Sequence, residues 1–329
     1  MTGGFIVRLG VFTVLYQDLE FEVMLDKVVE LGLESVELGT GNYPGNAHCD
    51  PGQLLKNPEK IKQLQKAIEE RNLTISGLSC QGNPLHPNKE IAEEHHNTWR
   101  QTVQLAKELN VDVINCFSGC PGDSPNAVNP NWVTCSWPPE YMEIKKWQWD
   151  EVVVPYWKRE SEYAASHGIN KIALEMHPGF VVYNPETVVE LNKRAGSNIG
   201  ANFDPSHLIW QGIDPVKALK YLGGKGLVHH FHAKDTYLDT SNIEINGVLD
   251  TKHYGEILDR AWTFRTVGYG QSGQVWKDMI STLRAIGYDK PVSIEHEDML
   301  ASTDEGLKKA IEFLNGIMFK EKPGEMWWS

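Results

Sequence analysis

What this chain lacks narrows it first. It has no excess of basic residues: 31 Lys and Arg stand against 44 Asp and Glu, a formal charge of −13 over 329 residues. A chain of that sign repels a phosphate backbone unless its cations are gathered into a patch, and no patch is visible, so no nucleic acid is expected as a partner. No apolar run approaches the roughly 20 residues needed to span a bilayer. The opening MTGGFIVRLGVF moves into a strand pattern without the charged and apolar regions of a secretion signal, so no membrane association is expected and the default location is cytoplasmic. Cysteine is scarce and odd in number, at Cys49, Cys80, Cys116, Cys120 and Cys135, which argues for free thiols rather than a disulfide framework. Cys116 and Cys120 have no second Cys or His pair at zinc-finger distance, so no structural zinc is expected there. A glycine-rich dinucleotide fingerprint is missing after the first strand, and GYGQSG (268–273) does not follow a strand in a βαβ unit.

What is present is a regular alternation. Apolar runs of strand length fall at 5–12, 34–41, 73–80, 111–119, 172–177, 198–204, 227–235 and 290–298. Between them lie amphipathic helical patterns at 18–33, 57–72, 89–109, 146–167, 215–222 and 274–286, with a last one at 303–314 and a short one at 253–263. Asn184-Pro185 and Asp214-Pro215 each offer an N-cap followed by proline at the first helical position. No composition break divides the chain. The pattern predicts an α/β fold, a single (β/α)8 TIM barrel spanning 1–329, with a loop insertion at 121–141 and a short tail at 320–329.

The run IALEMHPGF (172–180) shows where chemistry should be sought. Alternation along a strand places Ala173, Glu175 and His177 on one face, at a C-terminal end broken by Pro178-Gly179. In a parallel barrel that end is where ligands are handled. Asp204, His232 and Glu295 close the next three strands in the same manner, so the four side chains should converge on one side of the mouth. Three carboxylates and one imidazole suit one divalent ion, Mn²⁺ in the first place, with Mg²⁺, Co²⁺ or Zn²⁺ as alternatives. Without a cation the carboxylates would raise one another's pKa.

ALEMH, NFDPSH, HFHAKD and SIEHED resemble the signature segments of the xylose-isomerase-like barrels, the sugar phosphate isomerase/epimerase superfamily, and the resemblance runs over nearly the whole chain. It implies that Glu175, Asp204, His232 and Glu295 bind one metal ion, that His207 contacts substrate, and that Glu175 and Glu295 take a proton from one face of a carbon next to a carbonyl and return it to the other. The implied activity is a metal-dependent carbohydrate isomerase or epimerase working through an enediolate.

The chain departs from the common epimerase pattern. HAKDTYL (232–238) supplies Lys234 where an arginine is usual, which argues against phosphate recognition. His177, the His86 loop and the Trp-rich insertion with Trp132 and Trp137 resemble a branch that includes the catalytic alpha subunit of C-glycoside deglycosidases. In that branch His177 is the general base, the tryptophans face an aromatic aglycone, and a carbon–carbon bond of a 3-keto aryl C-glycoside is broken. The expected substrate is thus a small sugar or glycoside bound by His207, His86, Trp132, Trp137 and Lys234, and a homo-oligomer or a small partner subunit are the protein partners left open. An endonuclease of the endonuclease IV type would need more metal ligands and a basic surface, and a non-catalytic sugar-binding barrel would not need four competent ligands.

Overall fold

A computed structural model of the chain describes residues 7–322 together with Gly324, Met326 and Trp328. The expected first two residues of the opening strand, Phe5 and Ile6, lie outside the described residues, as do Pro323, Glu325, Trp327 and Ser329 of the tail. Ten strands follow in chain order: β1 (Leu9–Phe12), β2 (Ser35–Gly39), β3 (Thr74–Ser79), β4 (Val113–Cys116), β5 (Lys171–Glu175), β6 (Ile199–Phe203), β7 (Val228–Ala233), β8 (Asp235–Leu238), β9 (Trp262–Arg265) and β10 (Val292–Ile294). Eight of them close a parallel barrel in the order β1-β10-β7-β6-β5-β4-β3-β2, and β8 and β9 pair antiparallel as a separate hairpin. Strands β5, β6, β7 and β10 are therefore consecutive staves, as the alternation predicted.

The helices begin by one repeated device. Asp50, Asn57, Asn184, Asp204 and Asp214 each accept a backbone N–H at a helix start and are each followed by proline. The cap meets an orphan donor, and proline's fixed φ is already helical while the residue before it is held extended. Barrel strands are buried along nearly their whole length, because one face meets the helices and the other the barrel interior. Two register irregularities interrupt the ladder, between Val36 and Glu37 and between Ala201 and Asn202.

Two sequence expectations change. The helix expected from 146 begins earlier, since Glu140–Trp147 runs through a π turn at Gln148–Val153 into Val154–Ser166. Gln148 is buried there, and its amide donates to the carbonyls of Pro121, Gly122 and Asn131. One side chain thus draws the insertion onto the helix. The helix expected at 253–263 is absent; that stretch is turns leading into β9. Its aromatic Trp262 and Phe264 favour the pleated hairpin, where Trp262 stacks on Trp210 at 4.6 Å between ring centroids. The helix in this region is instead Thr240–Asn246, capped by Asp239.

GYGQSG is also explained. Asp235 is fully buried, and its carboxylate accepts the backbone N–H groups of Thr236, Gly268, Gly270 and Gln271 and the indole N–H of Trp276. The glycine-rich loop wraps a carboxylate of its own chain.

The hairpin excursion has a polar hub of its own. Asp250 accepts from the backbone N–H of Ala261 at 2.7 Å and from both the backbone N–H and the ammonium of Lys252 at 2.9 Å. Burial would raise this carboxyl, but those bonds outweigh it and hold it at about 2. A depressed folded pKa gives stability that is present above the ordinary carboxylate value and lost as pH falls through the folded one. Local unfolding of 239–262 should therefore set in between about pH 4 and pH 2. Asp250→Asn should remove that acid step and cost about 2 kcal/mol at neutral pH, read as faster amide exchange confined to this excursion.

Candidate metal centre at the barrel mouth

Glu175 is the last residue of β5, Asp204 directly follows β6, His232 lies in β7 and Glu295 directly follows β10. One ligand-type atom from each lies within 4.8 Å of those of the other three. His232 Nδ1 is 2.9 Å from Glu295 Oε2 and 3.7 Å from Glu175 Oε2. Asp204 spends Oδ1 on the Ser206 N–H at the start of its helix. Its Oδ2, like Glu295 Oε2 and His207 Nε2, is buried without a hydrogen-bond partner among the described residues. Buried orphan oxygens are costly. Two of them beside a third carboxylate and an imidazole nitrogen are the donor set of a divalent ion.

Lys234 lies against this cluster. Its ammonium is 2.6 Å from Glu297, 3.3 Å from Glu295, 3.9 Å from Asp204, and 4.3 Å from the centroid of the Phe264 ring. Burial would lower its pKa, but the carboxylates outweigh burial and hold it well above the usual lysine range. The carboxyls respond unequally. Burial and then the Glu295 charge push Glu175 up, and burial lifts Asp204 to about 6 against the pull of His207 and Lys234. For Glu295, Lys234 and His232 overcome the upward push of burial and hold it well below its ordinary range.

Above the cluster opens a cavity of about 680 Å³ lined by Glu175, His177, His207, Lys234 and Glu295, with Phe12, Tyr43, Phe117, Tyr254 and Phe264 among its apolar walls. His177 stands two residues beyond β5 and outside the four-residue group. Its Nδ1 is 2.6 Å from the Pro178 carbonyl, so Nδ1–H donates there and Nε2 keeps its lone pair. The ring packs 4.1 Å from His207 and 4.9 Å from Phe117 between centroids. Burial, with His207 adding to it, lowers His177 to about 3, and His207 falls to about 4 for the same first reason.

Three expected substrate-binding residues are not brought to this cavity. His86 sits in its own turn, where Nδ1 accepts the Asn88 N–H. Trp132 packs edge-on against Tyr183, and Trp137 is 74% exposed. For the two tryptophans the reason is Gln148, which draws the insertion onto the helix. The aromatic walls come from β1, from the ends of β2 and β4 and from the hairpin excursion instead. Nor do Cys116 and Cys120 take part in either group of metal-competent side chains among the described residues.

Sequence reasoning missed Glu37. It is fully buried inside the barrel and accepts from Ser79 Oγ at 2.5 Å, Asn115 Nδ2 at 2.9 Å and Ser293 Oγ at 2.6 Å, with His232 Nε2 at 2.9 Å. With His230 and His232 it forms a second group of metal-competent side chains. The available signal was a carboxylate inside the apolar strand SVELG, on the opposite face from Val36 and Leu38.

Fold and site together define a parallel (β/α)8 barrel with a carboxylate-rich cluster at its C-terminal mouth whose side chains could hold a divalent ion. The chain belongs to the xylose isomerase-like TIM barrel family, whose sequence model matches residues 25–317. It is 39% identical over 298 residues to the uncharacterized protein YfiH of Bacillus subtilis (strain 168), covering 90% of this chain and 94% of that one. Three solved structures share the fold. A probable 3-DHS dehydratase, AsbF, of Bacillus anthracis superposes with a TM-score of 0.64 at 16% identity, covering 94% of this chain and 99% of that one. A xylose isomerase-like TIM barrel protein from Mycobacterium smegmatis in complex with magnesium gives 0.62 at 14%, covering 94% and 96%. D-psicose 3-epimerase with D-tagatose, from Clostridium cellulolyticum H10, gives 0.59 at 13%, covering 94% and 98%. Likeness at such identities shows the fold alone.

Proposed function

We propose that the protein is a divalent-metal-dependent isomerase or epimerase of a small uncharged carbohydrate, moving a proton on the carbon next to a carbonyl through an enediolate. The observation that carries this reading is the convergence of Glu175, Asp204, His232 and Glu295 within 4.8 Å, with Asp204 Oδ2 and Glu295 Oε2 buried and turned toward the same cluster. The presence of a D-psicose 3-epimerase and a magnesium complex among the fold's neighbours supports it. When bound, the ion, Mn²⁺ in the first place, supplies Lewis-acid stabilisation of the negative charge that develops on the substrate oxygens.

The chain's own residues do the rest. Glu175 and Glu295 rise from the two outer strands of a four-strand arc, so they would reach the carbon of a substrate held at the mouth from two sides. Glu175, the more basic of the two, accepts the carbon-bound proton on one side and releases it to solvent, while Glu295 takes a proton from solvent and delivers it to the other face of the same carbon. His207, with Nε2 3.2 Å from Glu175 and 3.3 Å from Asp204, hydrogen-bonds a substrate hydroxyl. Lys234 offsets one of the three clustered carboxylate charges. A divalent ion offsets the other two, which leaves no cationic charge for a phosphate or carboxylate substrate.

One observation favours a second reading. His177 presents an unprotonated Nε2 beside the cavity, the position a general base needs for cleaving a 3-keto aryl C-glycoside. The tryptophans that this reading called on lie elsewhere. The test is incubation of the Mn²⁺-loaded protein with a panel of free ketoses in D₂O. Deuterium should enter at the carbon beside the carbonyl, with one Mn²⁺ per chain. Cleavage of 3-keto aryl C-glycosides without any exchange into ketoses would overturn the isomerase reading in favour of the lyase.

A further inference from the structure

His232 is held from three directions, and each contact comes from a different strand. On the side away from the cavity, Nε2 lies 2.9 and 3.0 Å from the two oxygens of Glu37 on β2. One ring face stacks on Phe12 at the end of β1, 5.6 Å between centroids and 28° between planes. Asn202 on β6 stands 3.2 Å from Nδ1. The remaining nitrogen, Nδ1, is the one turned toward Glu175 and Glu295. Both interruptions of the barrel ladder fall here: the register shifts at Glu37 and at Asn202. A β-bulge re-aims a side chain, and these two sit at residues that flank the same imidazole.

Glu37 could be taken for a metal ligand in its own right, together with His230 and His232. Its hydrogen bonds speak against that. Oε1 already accepts from Ser79 and Asn115, and Oε2 from Ser293, while both face His232 Nε2. The carboxylate is fully enclosed, and a cation placed between it and His232 would displace an imidazole that also serves the mouth cluster. A neutral histidine has one protonated nitrogen and one lone pair. With an ion held between Nδ1 and the mouth carboxylates, the carboxylate on Nε2 keeps that nitrogen the donor and leaves the Nδ1 lone pair to the ion.

We propose that Glu37 is a positioning residue for the metal centre: it fixes His232 in the Nε2–H tautomer, aims Nδ1 into the mouth cluster and raises the basicity of that nitrogen. The proposal rests on the metal reading of Glu175, Asp204, His232 and Glu295. Three strands beyond β2 and β7 supply the donors that hold Glu37 itself, Ser79 on β3, Asn115 on β4 and Ser293 on β10. The carboxylate therefore cannot turn away from the imidazole without breaking bonds to all three. A metal-ligating histidine whose other nitrogen is held by a carboxylate commonly owes it about ten- to a hundredfold in metal affinity.

Two measurements test this. In wild-type protein labelled with ¹⁵N-histidine and loaded with Mg²⁺ or Zn²⁺, the His232 ring should show a proton on Nε2, strongly downfield through its bond to Glu37, and metal perturbation at Nδ1. Metal perturbation at Nε2 would overturn the proposal. In the second, Mn²⁺ affinity of metal-stripped protein is measured by the loss of free-ion EPR signal. Glu37→Gln should bind about ten- to a hundredfold more weakly than wild type, with Glu37→Asp recovering part of the loss. A folded Glu37→Gln with unchanged affinity would refute the positioning role while leaving the metal centre intact. Failure of the wild type to bind Mn²⁺ would instead remove the metal reading itself. If Glu37→Gln does not fold, the wild-type ring spectrum still decides.

Discussion

Glu175→Gln and Glu295→Gln should each lower kcat/KM by at least about a hundredfold, because each removes both a ligand charge and a proton-transferring group. Glutamine keeps the length and shape of the side chain, so the barrel end has no cavity to absorb. The two losses should differ in kind. Glu175 hydrogen-bonds Asn202 and Gln81 amides that can turn to meet a carboxamide, so its variant should stay folded and fail mainly in exchange. Glu295 is the partner of Lys234 and His232, and its replacement leaves one buried cation less well matched. That variant should lose Mn²⁺ affinity as well as activity. Deuterium incorporation measured at saturating Mn²⁺ separates the two, since added metal can restore occupancy but not a missing base. Activity that persists in both variants at wild-type levels would contradict the enediolate assignment.

Lys234→Met should have the largest effect on stability. The ammonium is 3% exposed and faces Glu295, Glu297 and Asp204. Removing one member of a buried charge cluster leaves the others uncompensated, at a cost of about 3–5 kcal/mol. In the presence of a chelator the urea midpoint should fall accordingly. Mn²⁺ should then recover much of the loss, since a bound dication answers the same carboxylates, and the variant should bind Mn²⁺ more tightly than wild type because a repelling cation has gone. A Lys234→Met protein as stable as wild type without metal, or with weakened Mn²⁺ binding, would show that the lysine does not share these carboxylates with the ion.

The barrel was legible because its repeat is a local property: each strand run is short and apolar, and several helices begin with a cap whose chemistry is written in two residues, as in Asn184-Pro185 and Asp214-Pro215. The mouth cluster was legible for the same reason. Glu175, Asp204, His232 and Glu295 end consecutive strands, and parallel topology brings consecutive strand ends together. Residues whose role depends on distant partners were not legible. Glu37 reaches His232 from 195 positions away, and nothing near it in sequence marks the contact. The sequence alone sets Trp132 and Trp137 against an aromatic aglycone, but the residue that decides where their loop lies is Gln148, outside it. The hairpin of β8 and β9 escaped notice since its two strands are separated by a helix and several turns.

Asp235 is the feature with the widest reach. It directly follows Lys234, and its carboxylate occupies the ring of N–H groups offered by Gly268, Gly270 and Gln271. The chain has in effect built an anion receptor and supplied the anion from its own side chain, at the residue next to Lys234. Those hydrogen bonds fasten the loop at 268–271 to the first residue of β8. A methyl group at Gly270 would approach the Thr236 carbonyl to 2.5 Å and Asp235 Oδ1 to 2.6 Å. A loop that lies outside the lining of the cavity is thereby tied to the residue next to Lys234, and a side chain at Gly270 should disturb the mouth from outside it.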